Sequence, residues 1–114
     1  ITLNGLTQFL EDNGYGLASP TGTGYPTLGG ILATGSHGTG LPLNDEGPGR
    51  IFGPIANLIL SLQAVVWNGT KGQYELQWFE RSDLKIGPLM ANLGLALCYS
   101  VQLPKTPRGT FSSF

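Results

Sequence analysis

Between residues 22 and 40 the chain carries seven glycines, Gly22, Gly24, Gly29, Gly30, Gly35, Gly38 and Gly40, around its only histidine, His37. Such a density does not build an ordinary core, because each glycine costs backbone entropy on folding and brings no side chain to pack. A chain tolerates it where the backbone must take a positive φ, or where something must come very close to it. The usual close visitor is a phosphate held by exposed backbone N–H groups. The candidate functional region is therefore this loop.

The remaining composition bounds the rest. A length of 114 residues is enough for one small domain. The chain is 40% hydrophobic and 11% charged, with 18 glycines and 8 prolines, which points to loop-rich, β-containing structure rather than a helix bundle. A net charge of −1 without any basic run argues against a nucleic-acid partner. So little charge fits a domain buried in something larger or a piece of a larger fold. Cys98 is the only cysteine, so no internal disulfide forms, and its apolar run Leu95-Ala96-Leu97-Cys98-Tyr99 predicts a buried, inert thiol. A zinc site needs three or four Cys, His or carboxylate ligands, and one His and one Cys far apart do not supply it. The most apolar stretch, residues 55–67, is broken by Asn57, Ser61 and Gln63 and falls short of the roughly 20 apolar residues of a membrane-spanning helix. The chain does not begin with Met, shows no signal-peptide pattern and opens directly on a helical pattern, so it reads as a piece of a longer polypeptide.

Leu3, Leu6, Phe9 and Leu10 recur at helical spacing, and Asn13-Gly14 supplies a stop, so residues 3–13 read as an amphipathic helix. Residues 15–30 read as an irregular loop. Ile31-Leu32-Ala33 reads as one helical turn or a short strand, and residues 41–53 as a surface loop. Residues 58–67 form the clearest strand, and Asn68-Gly69 then marks a hairpin whose return strand is residues 73–80. Asn68-Gly69-Thr70 is also a glycosylation sequon, but the hairpin turn explains it without a glycan. Trp67, Tyr74 and Trp78 read as sheet core, and Glu75, Glu80, Arg81 and Asp83 as solvated faces or hairpin-end pairs. Ser82 or Asp83 caps a short helix through Leu84 and Leu93 that Gly94 stops; residues 95–103 form a third strand, and the tail after Pro104 has little to organise it. The order is helix, Gly-rich loop, hairpin, short helix, strand: an α+β fold of short helices on a small mixed or antiparallel sheet.

The chemistry of the Gly-rich loop is narrowed by what it lacks. Gly22-Thr23-Gly24 is followed by Tyr25-Pro26, and Gly35-Ser36-His37-Gly38-Thr39-Gly40 runs the dinucleotide spacing backwards, so neither is a Rossmann loop. There is no Gly-Lys-Ser/Thr, which excludes a P-loop. A triad from the adjacent Ser36 and His37 is sterically poor. What remains is a different anion cradle, with hydroxyls from Thr27, Thr34, Ser36 and Thr39. His37 either contacts a ligand there or fills space beside the loop and hydrogen-bonds locally.

The segment Thr27-Leu28-Gly29-Gly30-Ile31-Leu32-Ala33-Thr34-Gly35-Ser36-His37-Gly38-Thr39 resembles the FAD-binding segment of the vanillyl-alcohol-oxidase-type flavoproteins, the PCMH-type FAD domain. Leu62-Gln63-Ala64-Val65-Val66-Trp67-Asn68-Gly69-Thr70, Trp78-Phe79-Glu80-Arg81-Ser82-Asp83 and Leu89-Met90-Ala91-Asn92-Leu93-Gly94 are similar to the flavin-linked, second class of cholesterol oxidases within it. The resemblance runs from about residue 3 to 103. It implies the second subdomain of a PCMH-type FAD domain over residues 1–103, followed in 104–114 by a tail or the start of a linker. FAD then lies between two α+β subdomains, in an enzyme that moves hydride from an alcohol carbon, of a sterol in this class, to flavin and then electrons to oxygen. The cofactor-binding residues it implies are Thr27, Gly29, Gly30, Leu32, Gly35, Ser36, His37, Gly38 and Thr39, with Cys98 contributing through its backbone. The histidine that carries flavin in covalent members sits on a loop of the first subdomain, so no covalent bond to His37 is expected. Both the first subdomain and the substrate domain, with the residues that bind the alcohol, are expected outside this chain. The fragment therefore supplies cofactor contacts and no catalytic acid or base. Two other readings stay open: a non-catalytic structural or interaction module docked to other chains, and a loop for another phosphate ligand.

Overall fold

The computed structural model describes residues 1–17, 19–40, 44, 53–104 and the backbone of 106–107. Helix α1, Leu3–Asp12, starts where the Thr2 hydroxyl accepts the Gly5 amide at 3.2 Å. It ends at Asn13, with Gly14 left-handed beyond it, as expected. Leu3 is buried and Leu6 and Leu10 pack beside it, whereas Phe9 faces outward. Within the expected irregular loop, Tyr15–Gly16 forms a two-residue strand, β1, and Ser19 is buried.

The ambiguous Ile31-Leu32-Ala33 segment is helical. Helix α2, Leu28–Thr34, is capped by Thr27, whose hydroxyl accepts the Gly30 amide. It is ended by Gly35 at φ 67°, a conformation that strains any residue with a Cβ. Ile31 points inward and is 2% exposed. The expected surface loop at residues 41–53 lies, apart from Asn44 and Gly53, outside the described residues.

Ile55–Leu58 forms a 3-10 helix, and only its last residue falls in the expected strand of residues 58–67. Strand β2 begins later, at Ser61–Asn68, and returns as β3, Gln73–Glu80, in antiparallel register from Ser61↔Glu80 to Asn68↔Gln73. The Asn68-Gly69 signal places the turn correctly, but the loop has four residues. Gly72 takes the left-handed conformation, and Asn68 Oδ1 accepts the Thr70 and Lys71 amides. Asn68 Nδ2 donates to Glu75, which also pairs with Lys71 at 3.0 Å. These two partners hold the Glu75 carboxyl below its ordinary pKa, the Asn68 bond contributing most.

A second 3-10 helix, Leu84–Leu89, is capped by Asp83. Strand β4, Cys98–Gln102, pairs antiparallel with β2 on the side away from β3, with a bulge opposite Gln63/Ala64. The three-stranded sheet therefore runs β3-β2-β4. Two residues of the expected unorganised tail, Thr106–Pro107, form β5 and pair with β1. The fold is α+β, with short helices against small antiparallel sheets.

One face of β2 and β3 supplies Leu62, Ala64 and Phe79 to a core completed by Ala56, Ile59 and Ile86. A second cluster joins Leu3, Leu17, Ile31, Ile55 and Leu58, and Leu32 and Leu103 touch both. Each fully buried Leu or Ile contributes roughly 1.5–3 kcal/mol. The expected core role of Trp67, Tyr74 and Trp78 is not observed. Register places them on the opposite face, 58%, 71% and 47% exposed. Arg81 is not a solvated end-pair either. It is half-buried, and Nη1 donates to Met90 Sδ at 2.9 Å and to the Ala56 carbonyl at 3.5 Å.

Candidate functional site

Helix α2 and strand β4 stand on two sides of a groove of about 450 Å³. Its floor comes from Ile59 and Leu62, its α2 wall from Gly29, Gly30 and Leu32, and its opposite wall runs into Cys98. This volume is within the range of small-molecule sites. Among the described residues no charged side chain lines it, and Asn92, Cys98, Tyr99 and Ser100 supply polar or thiol side chains.

Gly29 and Gly30 are the informative residues of this wall. Both lie in the first turn of α2 with ordinary helical backbone. A Cβ at Gly29 would meet nothing within 4 Å, and one at Gly30 only the Thr27 hydroxyl at 3.4 Å. Neither backbone geometry nor packing among the described residues requires glycine there, although glycine costs a helix about 1 kcal/mol relative to alanine. The open space beside them is the groove.

Two later glycines of the loop, Gly35 and Gly38, are explained inside the chain. Gly35 provides the left-handed helix end. Gly38 lies so close to Ser19 and the Pro20 carbonyl that a Cβ would overlap both. The Ser19 hydroxyl is buried there with no hydrogen-bond partner among the described residues.

Of the sequence-derived site residues, the structure brings Gly29, Gly30, Leu32 and Cys98 together on one groove. Thr27 caps the same helix, while Gly35, Ser36, His37, Gly38 and Thr39 continue beyond its far end and do not line the groove. Ser36 is tied down: its hydroxyl shares a 2.8 Å hydrogen bond with Thr34, and its carbonyl accepts the Ile55 amide. His37 bridges to Pro54 and is exposed; its ring Nδ1 lies 3.0 Å from the Gly38 carbonyl, so it donates there in the Nδ1–H tautomer. That is the local hydrogen bond one of the two readings of this residue anticipates.

Cys98 is exposed, not buried as its apolar neighbours imply. Leu95 and Leu97, which make that run apolar, are themselves 91% and 69% exposed. Partial burial still pushes the Cys98 thiol above its ordinary pKa, against an opposing contact from the Asn92 amide at 3.7 Å. Sequence reasoning passed over Asn92. Its Nδ2 donates to the Leu89 carbonyl and its Oδ1 accepts the Gly94 amide, both at 2.8 Å, which braces the turn beside the groove. The motif Asn92-Leu93-Gly94 was the available signal, since Asn and Gly are both turn residues.

The sequence matches no protein-family model, and no curated protein is significantly similar to it. Solved structures do match. A solvent-stable cholesterol oxidase superposes with a TM-score of 0.83 at 40% identity, over 94% of this chain and 20% of that one. The cholesterol oxidase from Brevibacterium sterolicum gives 0.83 at 35% identity, and a His-to-Ala variant of it 0.82 at 33%, each over 93% of this chain and 20% of theirs. The fold is cholesterol-oxidase-like. The chain spans about a fifth of the length of these oxidases. Among the described residues no helix is long and apolar enough to cross a membrane.

Proposed function

We propose that this chain is the second subdomain of a PCMH-type FAD-binding domain, in a flavin-dependent oxidase acting on an alcohol. The observation that carries this reading is the 33–40% identity to cholesterol oxidases over 93–94% of the chain. The site fits the cofactor in its own terms. Two glycines that nothing among the described residues explains border a groove of suitable size. The groove, as lined by the described residues, is uncharged and mostly apolar, which suits a flat ring system, and the helix that walls it is capped by the Thr27 hydroxyl. Bound there, FAD would supply the hydride acceptor for the CH–OH carbon.

The chain's own residues then do three things. Gly29 and Gly30 admit the ligand close to the α2 backbone. Leu32 and Leu62 exclude water beneath it, and β4 at Cys98 borders it. The loop of Thr27, Gly35, Ser36, His37, Gly38 and Thr39 is the proposed seat of the phosphate end, with the Gly35 and Ser36 amides already bonded to the Leu32 and Ile31 carbonyls. No residue of this chain is assigned as a catalytic acid or base, and the alcohol is handled by the remainder of the enzyme.

The test is a titration of the flavin-free protein with FAD, following flavin fluorescence and alkylation of Cys98 together. Quenched fluorescence with alkylation slowed in proportion to saturation is expected. Unchanged fluorescence with Cys98 still fully reactive would favour the second reading, a non-catalytic docking module, for which the exposed outer face of the β2–β3 hairpin speaks.

A further inference from the structure

The sequence holds three Asn-Gly pairs, Asn4-Gly5, Asn13-Gly14 and Asn68-Gly69. Such a pair can close on itself. The glycine amide nitrogen, after losing its proton to hydroxide, attacks the asparagine Cγ. The new N–Cγ bond displaces Nδ2, which leaves as ammonia with a proton from water. Water then opens the cyclic imide at either carbonyl and gives aspartate or isoaspartate. Asparagine is for this reason among the thermolabile residues. Glycine favours the closure because no Cβ stands beside the attacking nitrogen. The sequence ranks the three pairs alike, and the structure does not.

All three meet solvent: both residues of the first two pairs are exposed, as is Gly69 beside the half-buried Asn68. The attacking nitrogens differ. The Gly5 amide donates to the Thr2 hydroxyl at 3.2 Å, within the first turn of α1. The Gly14 amide donates to the Glu11 carbonyl at 3.0 Å, and the Asn13 side chain is held by the Phe9 carbonyl at 2.8 Å. A bonded amide gives up its proton only after a local opening, the restraint that also slows hydrogen exchange. The Gly69 amide has no hydrogen-bond partner among the described residues.

The attacked carboxamides differ as well. Asn68 Oδ1 accepts the Thr70 and Lys71 amides at 3.0 and 3.1 Å. Negative charge develops on that oxygen as nitrogen adds to Cγ, and two backbone donors at this distance stabilise it as they would any oxyanion. We propose that Asn68-Gly69 is a self-modification site, at which the fold promotes conversion of Asn68 to aspartate and isoaspartate while it protects the other two pairs. The product alters the end of the hairpin. Asn68 Nδ2 donates to Glu75 at 2.8 Å, so a carboxylate in its place sets two like charges together beside Lys71. The isoaspartate form also adds a methylene to the main chain where β2 ends. None of this depends on a bound cofactor.

The experiment incubates the intact protein at mildly alkaline pH, native and unfolded in denaturant. Peptide mass spectrometry reads the amide-to-acid mass gain at each of the three asparagines over time. Each site is compared with its own rate in the unfolded chain. Asn4 and Asn13 are expected to slow about tenfold or more on folding, since an opening must come first, while Asn68 keeps its unfolded rate or exceeds it. Their protection shows in the same sample that the protein stayed folded. Gly69 has no positive φ, and a Cβ there would meet only Trp67 Nε1 at 3.8 Å, so the fold admits Gly69→Ala. That variant is expected to lose most of the conversion at Asn68 and to leave the other two sites unchanged. Asn68 slowed on folding as much as Asn4 and Asn13 overturns the proposal. So does native conversion at all three alike, or conversion at Asn68 that Gly69→Ala leaves untouched.

Discussion

The glycines at the two ends of α2 look alike in the sequence and differ in cause. At the far end, Gly35 answers to a left-handed helix end and Gly38 to the backbone of Ser19 and Pro20 pressing on it. At the near end, Gly29 and Gly30 have ordinary helical backbone and open space. Glycine density therefore mixes two signals. Where the fold explains a glycine, it says nothing about a ligand. Where the fold does not, the missing Cβ points outward to whatever comes close.

Substitutions can break this comparison. Gly38→Ala is expected to have the largest effect, because the new Cβ meets backbone that cannot step aside; it should destabilise by about 1–3 kcal/mol or more, read from the midpoint of urea unfolding. Gly35→Ala should cost about 1–2 kcal/mol by the same measurement, from its left-handed φ. Gly29→Ala and Gly30→Ala should move the midpoint the other way, stabilising by about 0.5–1 kcal/mol through helix propensity. These two variants should at the same time release FAD more readily, read by flavin fluorescence on dilution. Destabilisation of both, with flavin retained, would erase the distinction between the two ends. The smallest effect belongs to the hairpin end, far from either glycine pair. Glu75 titrates lower in the folded chain than unfolded. Its contribution is therefore present above the ordinary carboxylate range and is lost as pH falls through the lowered value. The Tm advantage of the unmodified chain over Glu75→Gln should be slight at neutral pH, since the pair is open to solvent, and vanish in acid.

Much of the fold was legible because local signals agreed. Leu3, Leu6, Phe9 and Leu10 repeat at helical spacing ahead of the Asn13-Gly14 stop, and α1 is where they place it, although Phe9 faces outward. The hairpin was legible from its turn residues and alternation, and Asp83 from its capping chemistry. The hairpin and Cys98 errors share a cause: apolar character was read as burial. The hairpin carries apolar residues on both faces, so alternation could not say which face is sealed. Leu62, Ala64 and Phe79 are inside, and Trp67, Tyr74 and Trp78 are outside. Cys98 was misplaced in the same way, because Leu95 and Leu97 beside it face outward. The Gly-rich loop was legible as a place but not as a shape. Contacts of Gly38 with residues 19–20, and the meeting of α2 with β4, are tertiary and leave no periodic trace in the sequence.

The turn beside the groove places Ala91 and Leu93 at φ 49° and 55°, where residues with a Cβ are strained by on the order of 1–2 kcal/mol each. The amide of Leu93 donates to the Ala33 carbonyl at 2.7 Å, which ties this turn to the end of α2. An excursion that breaks this bond and lets the turn leave the left-handed region would release that strain. Such an opening is expected to let the two walls part while the sheet stays paired. The hydrogen-exchange rate of that one amide is the natural gauge of how often they do.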